Sequence, residues 1–230
     1  MGCRCVWLTK MRKSSSPILA IVLVVAVVAL GAVAVLRPIH GSSRAPAPVK
    51  TFRPVAVQAS GDHEITLANG CGVERWAVET GTDADRGKVS SKVVSTSVQS
   101  LVNRPKPTHY PTNARIAPTE LHIYQVTATV TQYKEEADSD VQLVLKDAQN
   151  RSMIAEIPAP SCVGSTSRWR ASIAGARSTW THTYPLSTSW HHISRRVTLR
   201  GLGFLDEIHG QTGVARNGVA LHPVIRVQLR

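Results

Sequence analysis

Nineteen consecutive residues from Ile18 to Leu36, ILAIVLVVAVVALGAVAVL, carry no charge and present no polar face. A helix of that length rises roughly 28 Å, close to the hydrocarbon thickness of a bilayer. A helix inside a globular domain would keep a polar stripe, so the run predicts a transmembrane helix over residues 17–37. Arg4, Lys10, Arg12 and Lys13 precede it, which keeps residues 1–16 in the cytoplasm and sends the remainder across. Ala32-Val33-Ala34 also fits a small-x-small cleavage signal, and cleavage after Ala34 would give a secreted protein. The run is longer than a signal-peptide core of about 7–15 residues, so an uncleaved anchor is the expectation. Cys3 and Cys5 fit either acylation or free cytoplasmic thiols. Residues 38–60 are rich in Pro, Ala and Ser and read as an extended tether. The exported domain then covers residues 61–230.

The anchor changes the meaning of the charge. The chain carries +12, from 27 Lys and Arg against 15 Asp and Glu, yet eight basic residues and no acidic one precede position 60. Residues 61–230 carry only +4, divided into −3 over 61–161 and +7 over 162–230. The expectation is a basic face rather than a basic protein. Beyond the apolar run the only cysteines are Cys71 and Cys162. An oxidising compartment and a single possible pairing point to a disulfide, and closing a 91-residue loop contributes about 4–5 kcal/mol in the chain-entropy model. Neither cysteine belongs to a zinc-type pair.

Periodicity supplies the fold. Glu64–Ala68 and Arg75–Thr80 read as short strands around the turn Asn69-Gly70-Cys71-Gly72, and residues 88–118, full of Ser, Thr and Pro, as an irregular surface loop. Leu121–Tyr133 alternates, with Tyr124, Val126, Ala128 and Val130 on one face of a half-buried strand. A polar turn leads into a strand with Val141, Leu143 and Leu145 on one face, and Ser152–Ile157 forms a third. Trp169, Ile173, Ala176 and Trp180 make one stripe of a helix over Arg168–Thr181, with Ser165 or Ser167 as its cap. Arg196–Phe204 and Val219–Leu229, the latter interrupted by Pro223, complete the set. Three strands, a helix and two strands is the order of an OB-like five-stranded small barrel, with Gly201 and Gly203 at its bends. The expected class is mainly β, with an open α+β sheet as the alternative.

The segments NGCGVERWAVETGTDAD (69–85), APTELHIYQVTATVTQYKEEADSDVQLVLKD (117–147), MIAEIPAPSC (153–162) and GFLDEIHGQTGVARNGVALHPV (203–224) resemble an uncharacterised family of secreted bacterial proteins. The resemblance covers most of residues 69–229, and HGQTG followed by LHPV is its most specific pair. The family brings no settled activity. Its members tend to have His at the position of Gln142, a departure that counts against a metal or catalytic site built on that residue.

Two clusters and one surface carry chemistry. Glu135, Glu136, Asp138 and Asp140 form a dense acidic turn, and Glu136, Asp138 and Asp140 are the candidate ligands for a hard divalent cation. The turn lacks the Gly and distal Glu of an EF-hand, and a solvated hairpin turn is the plainer reading. Asp206, Glu207, His209, Gln211 and Thr212, with Asn217 and His222, form the second cluster. His209, Gln211, Thr212, Asn217 and His222 are its candidate ligand-binding residues, and a loop holding itself together is again the plainer alternative. Asp140 and His209 are the catalytic candidates for a nuclease-like hydrolase. No GxSxG, HExxH or phosphate-cradling glycine loop occurs. Arg168, Arg170, Arg195, Arg196 and Arg200, with Arg177 and Arg226, lie among Trp169, Trp180 and Trp190 and suggest a basic face for nucleic acid or another anionic polymer; Trp169 and Trp180 read better as packing residues. The first expectation is a membrane-tethered or secreted binding module partnered by the membrane and an anionic polymer. An extracytoplasmic metal-dependent hydrolase and a structural envelope protein are the alternatives. No cofactor is expected beyond that divalent cation.

Overall fold

The computed structural model describes residues 57–58 and 65–230. The apolar run at 18–36, its flanks and all but two residues of the tether lie outside the described residues. Among those described, no helix is long and apolar enough to cross a membrane. Val57–Gln58 (β1) and Ile65–Thr66 (β2) form a small antiparallel ladder.

The fold is mainly β, a six-stranded sheet with one long helix. Its strands are β3 (Val93–Thr96), β4 (Ile123–Glu135), β5 (Val141–Lys146), β6 (Ser152–Ile157), β7 (His191–Leu205) and β8 (Val219–Leu229). β4 pairs antiparallel with β5 and with β7, β5 with β6, and β7 with β8, while β6 runs parallel to β8. Each of these five strands therefore has two neighbours. β3 lies parallel against the first half of β4. The alternation expected along β4 is present: Tyr124, Val126, Ala128 and Val130 are all buried and join Val141, Leu143, Leu145, Met153, Ala155 and Leu199 in the main core. Pro223 does not end β8, because register shifts around Gly201 absorb the irregularity. At Gly203 a Cβ would collide with the Thr119 carbonyl, so only glycine lets β7 pass there.

Helix α3 (Arg170–Thr181) lies between β6 and β7 in the chain. Its stripe is buried as the spacing requires: Ala176 and Trp180 in the main core, Trp169 and Ile173 in a second cluster with Ile123 and Leu202. The helix starts two residues later than expected, with Trp169 as N-cap, and Ser167 Oγ accepts the Trp169 N–H at 3.4 Å.

Two segments differ from expectation. Trp76–Thr80 is a short helix, α1, and not a strand. Arg75 begins it at φ 47°, and the position is held by tertiary bonds rather than by propensity. Its guanidinium donates to both Glu120 oxygens, at 2.7 and 2.9 Å, and to the Leu205 carbonyl. A second buried pair, Arg115–Asp83 at 2.7 Å, fixes the turn after α1. The Ser/Thr/Pro-rich stretch is not wholly irregular either, since it contains β3 and a five-residue helix, α2 (Val98–Val102), whose Val98, Leu101 and Val102 enter the core. Cys71 and Cys162 form the expected disulfide, with Cα atoms 5.5 Å apart.

Candidate functional site

β5, β6 and β8 each present one face to the core and one outward. Gln142 pairs in register with Glu156, and the parallel pairing of Ala155 with Leu221 sets Glu156 beside His222. These polar residues alternate with core residues, so register alone places all three on the outward face. α1, the turn 136–140 and the loop 206–218 then cover that face.

The acidic turn is buried rather than solvated. Glu136, Asp138 and Asp140 are 7%, 4% and 0% exposed, and Asp138 Oδ1 accepts the Asp140 N–H at 3.0 Å. Ser139, at φ 72°, donates to the Gly70 carbonyl and ties the turn to the segment bearing Cys71. Asp140 accepts the Ala159 N–H at 3.2 Å and contacts His222 Nε2 at 3.0 Å. On the other side of the ring, His222 Nδ1 lies 2.8 Å from Glu156 Oε2, an ion contact off the line of a good hydrogen bond. Burial would lower the His222 pKa, but the charges of Glu79 and Glu156, the bond to Asp140 and the close Glu156 contact raise it well above the ordinary value. His222 thus lies between two carboxylates, which favour its imidazolium form.

Other carboxylates gather round it. Burial and the Asp140 charge push Asp138 up to about 7. Burial, reinforced by Glu156, does the same for Asp206, also to about 7. Glu79, on α1, is raised well above the usual range by burial against His222's counter-effect. Burial raises Asp140 too, partly offset by the His222 bond. Glu156 alone is lowered: burial opposes this, but His222 and a bond from Glu136 outweigh it. A buried group with more negative than positive partners holds protons to neutral pH, and here several do.

The loop supplies the remaining wall. Asp206 Oδ2 accepts Gln211 Nε2 at 2.8 Å, and Gln211 Oε1 accepts the His209 N–H at 3.0 Å. Asp206 N–H reaches the Gly218 carbonyl at 2.8 Å, and a Cβ on Gly218, at φ 73°, would strike Asp206. Gln142 Nε2 donates to the Thr212 carbonyl at 3.1 Å, while its Oε1, in a residue 1% exposed, has no partner. Across the site the Trp76 ring and Asp138 meet over Gly72. Val73 and Ile208 are exposed apolar residues next to these segments.

The structure thus brings Asp138, Asp140, Asp206, Gln211 and His222 together, and His209 is close enough to influence Glu156. Thr212 contributes its carbonyl only. Asn217 belongs to the scaffold: its amide donates to the Leu101 and Arg104 carbonyls at 3.0 Å each. Glu207 points outward with its backbone in the loop network, and Glu135 pairs with Arg177 at 2.7 Å. Among the described residues no three His, Cys, Asp or Glu side chains are grouped to hold a metal ion, so Glu136, Asp138 and Asp140 form no ready-made ligand set. Sequence reasoning missed Glu156 and Glu79, whose roles come from strand register and from a helix misread as a strand.

The basic residues do not form the single face expected. Arg168 lies 4.3 Å over Trp169 and donates to the Val89 carbonyl, and Arg170 is exposed at the start of α3. Arg195 is paired with the core residue Val130 and so turns inward. Arg196 and Arg200 remain on the outward side of β7, with Arg226 opposite Arg200 on β8. Trp169 and Trp180 are buried as packing residues, and Trp190 is half-buried beneath Lys134. No protein-family model matches the chain, and a comparison with curated proteins found no match.

Proposed function

We propose that residues 61–230 form an extracytoplasmic OB-like five-stranded barrel that acts as a binding module, tethered by the apolar segment at 17–37, in a secreted bacterial family. The support for the barrel is the circuit of pairings β4–β5–β6–β8–β7–β4, with its one parallel contact between the third and last strands and α3 between the third and fourth. OB barrels bind ligands on the face of their second and third strands, under the loops joining strands one to two and four to five. In this chain those are β5, β6, the turn 136–140 and the loop 206–218.

The observation that carries the proposal is that both loops converge on His222 over that face, with more carboxylates than the fold's own cations neutralise. The orphaned atoms of the site are the acceptor Gln142 Oε1 and the ring nitrogens His209 Nδ1 and His222 Nδ1, set among carboxyl groups. A carboxylate-rich site selects a donor-rich ligand, either a hydroxylated sugar chain or an ammonium group. Titration calorimetry on the full-length protein in detergent, with a neutral oligosaccharide in one arm and spermidine in the other, tests this. Saturable binding in one arm, weakened about tenfold by Asp206→Asn as loss of one charge-assisted bond requires, is expected. Heat-silent titrations in both arms remove the reading.

Acid–base hydrolysis is the second reading. One observation favours it: Glu156 is held low while neighbouring Asp206 is raised to about 7, the division of roles that a general base and a general acid require. Turnover of glycan or nucleic acid, measured with and without Ca²⁺ or Mg²⁺, tests it. Turnover that survives Glu156→Gln, Asp140→Ala and His209→Ala would show that the cluster is not its source.

A further inference from the structure

A second charged surface lies on the outward side of β4, β7 and β8, away from the carboxylate-rich site and independent of it. Register sets its rows. Gln125, Arg200 and Arg226 stand side by side across three strands, then Thr127, Thr198 and Gln228, then Thr129 and Arg196 with Lys146 on β5. The outward positions in these rows contain no Asp or Glu.

The four cations are not neutralised. Among the described residues, Lys146, Arg196 and Arg226 have neither an ion pair nor a side-chain hydrogen bond, and Arg200 donates only to neutral Gln125 Oε1, at 2.7 Å. The Thr127 and Thr198 hydroxyls lie 2.8 Å apart in a hydrogen bond, and Thr198 Oγ1 also accepts from Arg230 Nε at 2.7 Å. The result is a polar platform whose Arg196 and Arg226 are exposed and whose cations lack acidic partners among the described residues. Arg200 and Arg226 are also directly opposite one another in an antiparallel ladder, where like charges oppose folding. A fold does not need that arrangement; a polyanion does. Beside the rows runs a groove of about 330 Å³, lined in part by Thr127, Thr129, Lys146 and Arg196; its one carboxylate, Asp147, is paired with Arg151 at 2.7 Å.

We infer that this surface binds an anionic glycan, a chain of sulfated, phosphorylated or carboxylated sugars, laid across β4, β7 and β8. Charge complementarity selects a polyanion, and planar guanidinium groups suit such anions. The choice of glycan over single-stranded nucleic acid follows from what the rows lack. Base binding without sequence preference relies on aromatic stacking platforms, and these rows offer Thr, Gln, Arg and Lys but no ring. Hydroxyl and amide side chains between the cations are the partners that sugar hydroxyls use.

The test is affinity of the full-length protein, in detergent, for a heparin fragment and for an oligothymidylate of equal charge, each measured across a salt series. Four contacts predict a fall of about fifty-fold in heparin affinity between about 50 and 200 mM salt, by the counterion slope of single-stranded polyanions. Arg196→Ala/Arg226→Ala removes two contacts, which should cost about tenfold at the lower salt and roughly halve the slope. Both side chains are exposed and unbonded, so the variant should retain the wild-type melting temperature; a matched melt makes an affinity change interpretable. The inference fails if neither probe binds at the lower salt. It fails if the double variant keeps wild-type heparin affinity, and also if the oligothymidylate binds more tightly than the heparin fragment. Because the sugar and spermidine arms of the earlier titration probe Asp206 and not these arginines, either proposal can fail alone.

Discussion

β8 carries both charged surfaces, and they handle charge in opposite ways. Around His222 the charges are buried, paired and crowded, so protonation adjusts until the cluster is tolerable. Around Arg226 the charges are exposed and uncompensated, so water and salt do that work. The first surface should respond to pH and to the loss of a single partner, because unpaired buried charge has no solvent to fall back on. The second should respond to ionic strength and hardly at all to truncation. Location on the sheet, rather than sign of charge, decides which kind of chemistry each face can perform.

The largest effect expected to separate the faces is at Asp140. Asp140→Ala leaves the His222 imidazolium with Glu156 as its remaining direct carboxylate contact and frees the Ala159 N–H, a change that costs about 3–5 kcal/mol for a buried ion pair. Chemical denaturation of the full-length protein measures it. A loss under about 1 kcal/mol would mean that His222 is not charged in the folded state and that the cluster is weaker than its geometry implies.

Next comes pH. Asp138 and Asp206 have folded-state values of about 7 against ordinary values of 3.8, so the folded protein holds these protons more tightly than the unfolded chain. Their contribution is complete below the unfolded value and is lost as pH rises through about 7. Glu79 acts in the same direction, and so does His222, whose contribution persists until pH passes its raised value. Glu156 works the other way, losing its contribution as pH falls through its lowered value. Stability should therefore increase as pH is lowered from about 8 to about 5. Asp206→Asn should flatten that slope by on the order of 1 kcal/mol, the partial exposure of Asp206 reducing the effect. A slope unchanged by the substitution would show that Asp206 does not titrate within the cluster.

The sequence made the scaffold readable and left the sites half-hidden. The alternation in β4 and the Trp169–Trp180 stripe in α3 are local patterns, repeated over enough residues to define a face. His222, Asp140 and His209 stood out by residue type, but Glu156 sits in an apolar strand and gains its role only from the parallel pairing of β6 with β8. That pairing joins residues far apart in the chain, which no local pattern reports. Trp76–Thr80 has the Val, Thr and Trp content of a strand, yet the buried Arg75–Glu120 pair holds it as a helical turn over the cluster. The expected basic set is divided by the fold: alternation turns Arg195 inward, Arg168 and Arg170 lie at the start of α3, Arg196, Arg200 and Arg226 share the outward side of β7 and β8, and register adds Lys146.

The smallest effect expected tests the exposed half of the comparison. Arg196→Ala/Arg226→Ala should change stability by less than about 0.5 kcal/mol, as surface substitutions without buried partners do. Its sign is more informative than its size. Removing Arg226 relieves the like-charge pair with Arg200, so the variant should be slightly more stable than the native chain at low salt, and the gain should vanish as salt screens the repulsion. Arg200→Ala should do worse, because it also breaks the bond to Gln125. Denaturation curves at two ionic strengths distinguish these cases. A clear loss of stability in the double variant, insensitive to salt, would mean that these guanidinium groups serve the sheet itself; a salt-dependent gain would mean that the fold tolerates a repulsion it does not need, as a surface reserved for an anionic partner should.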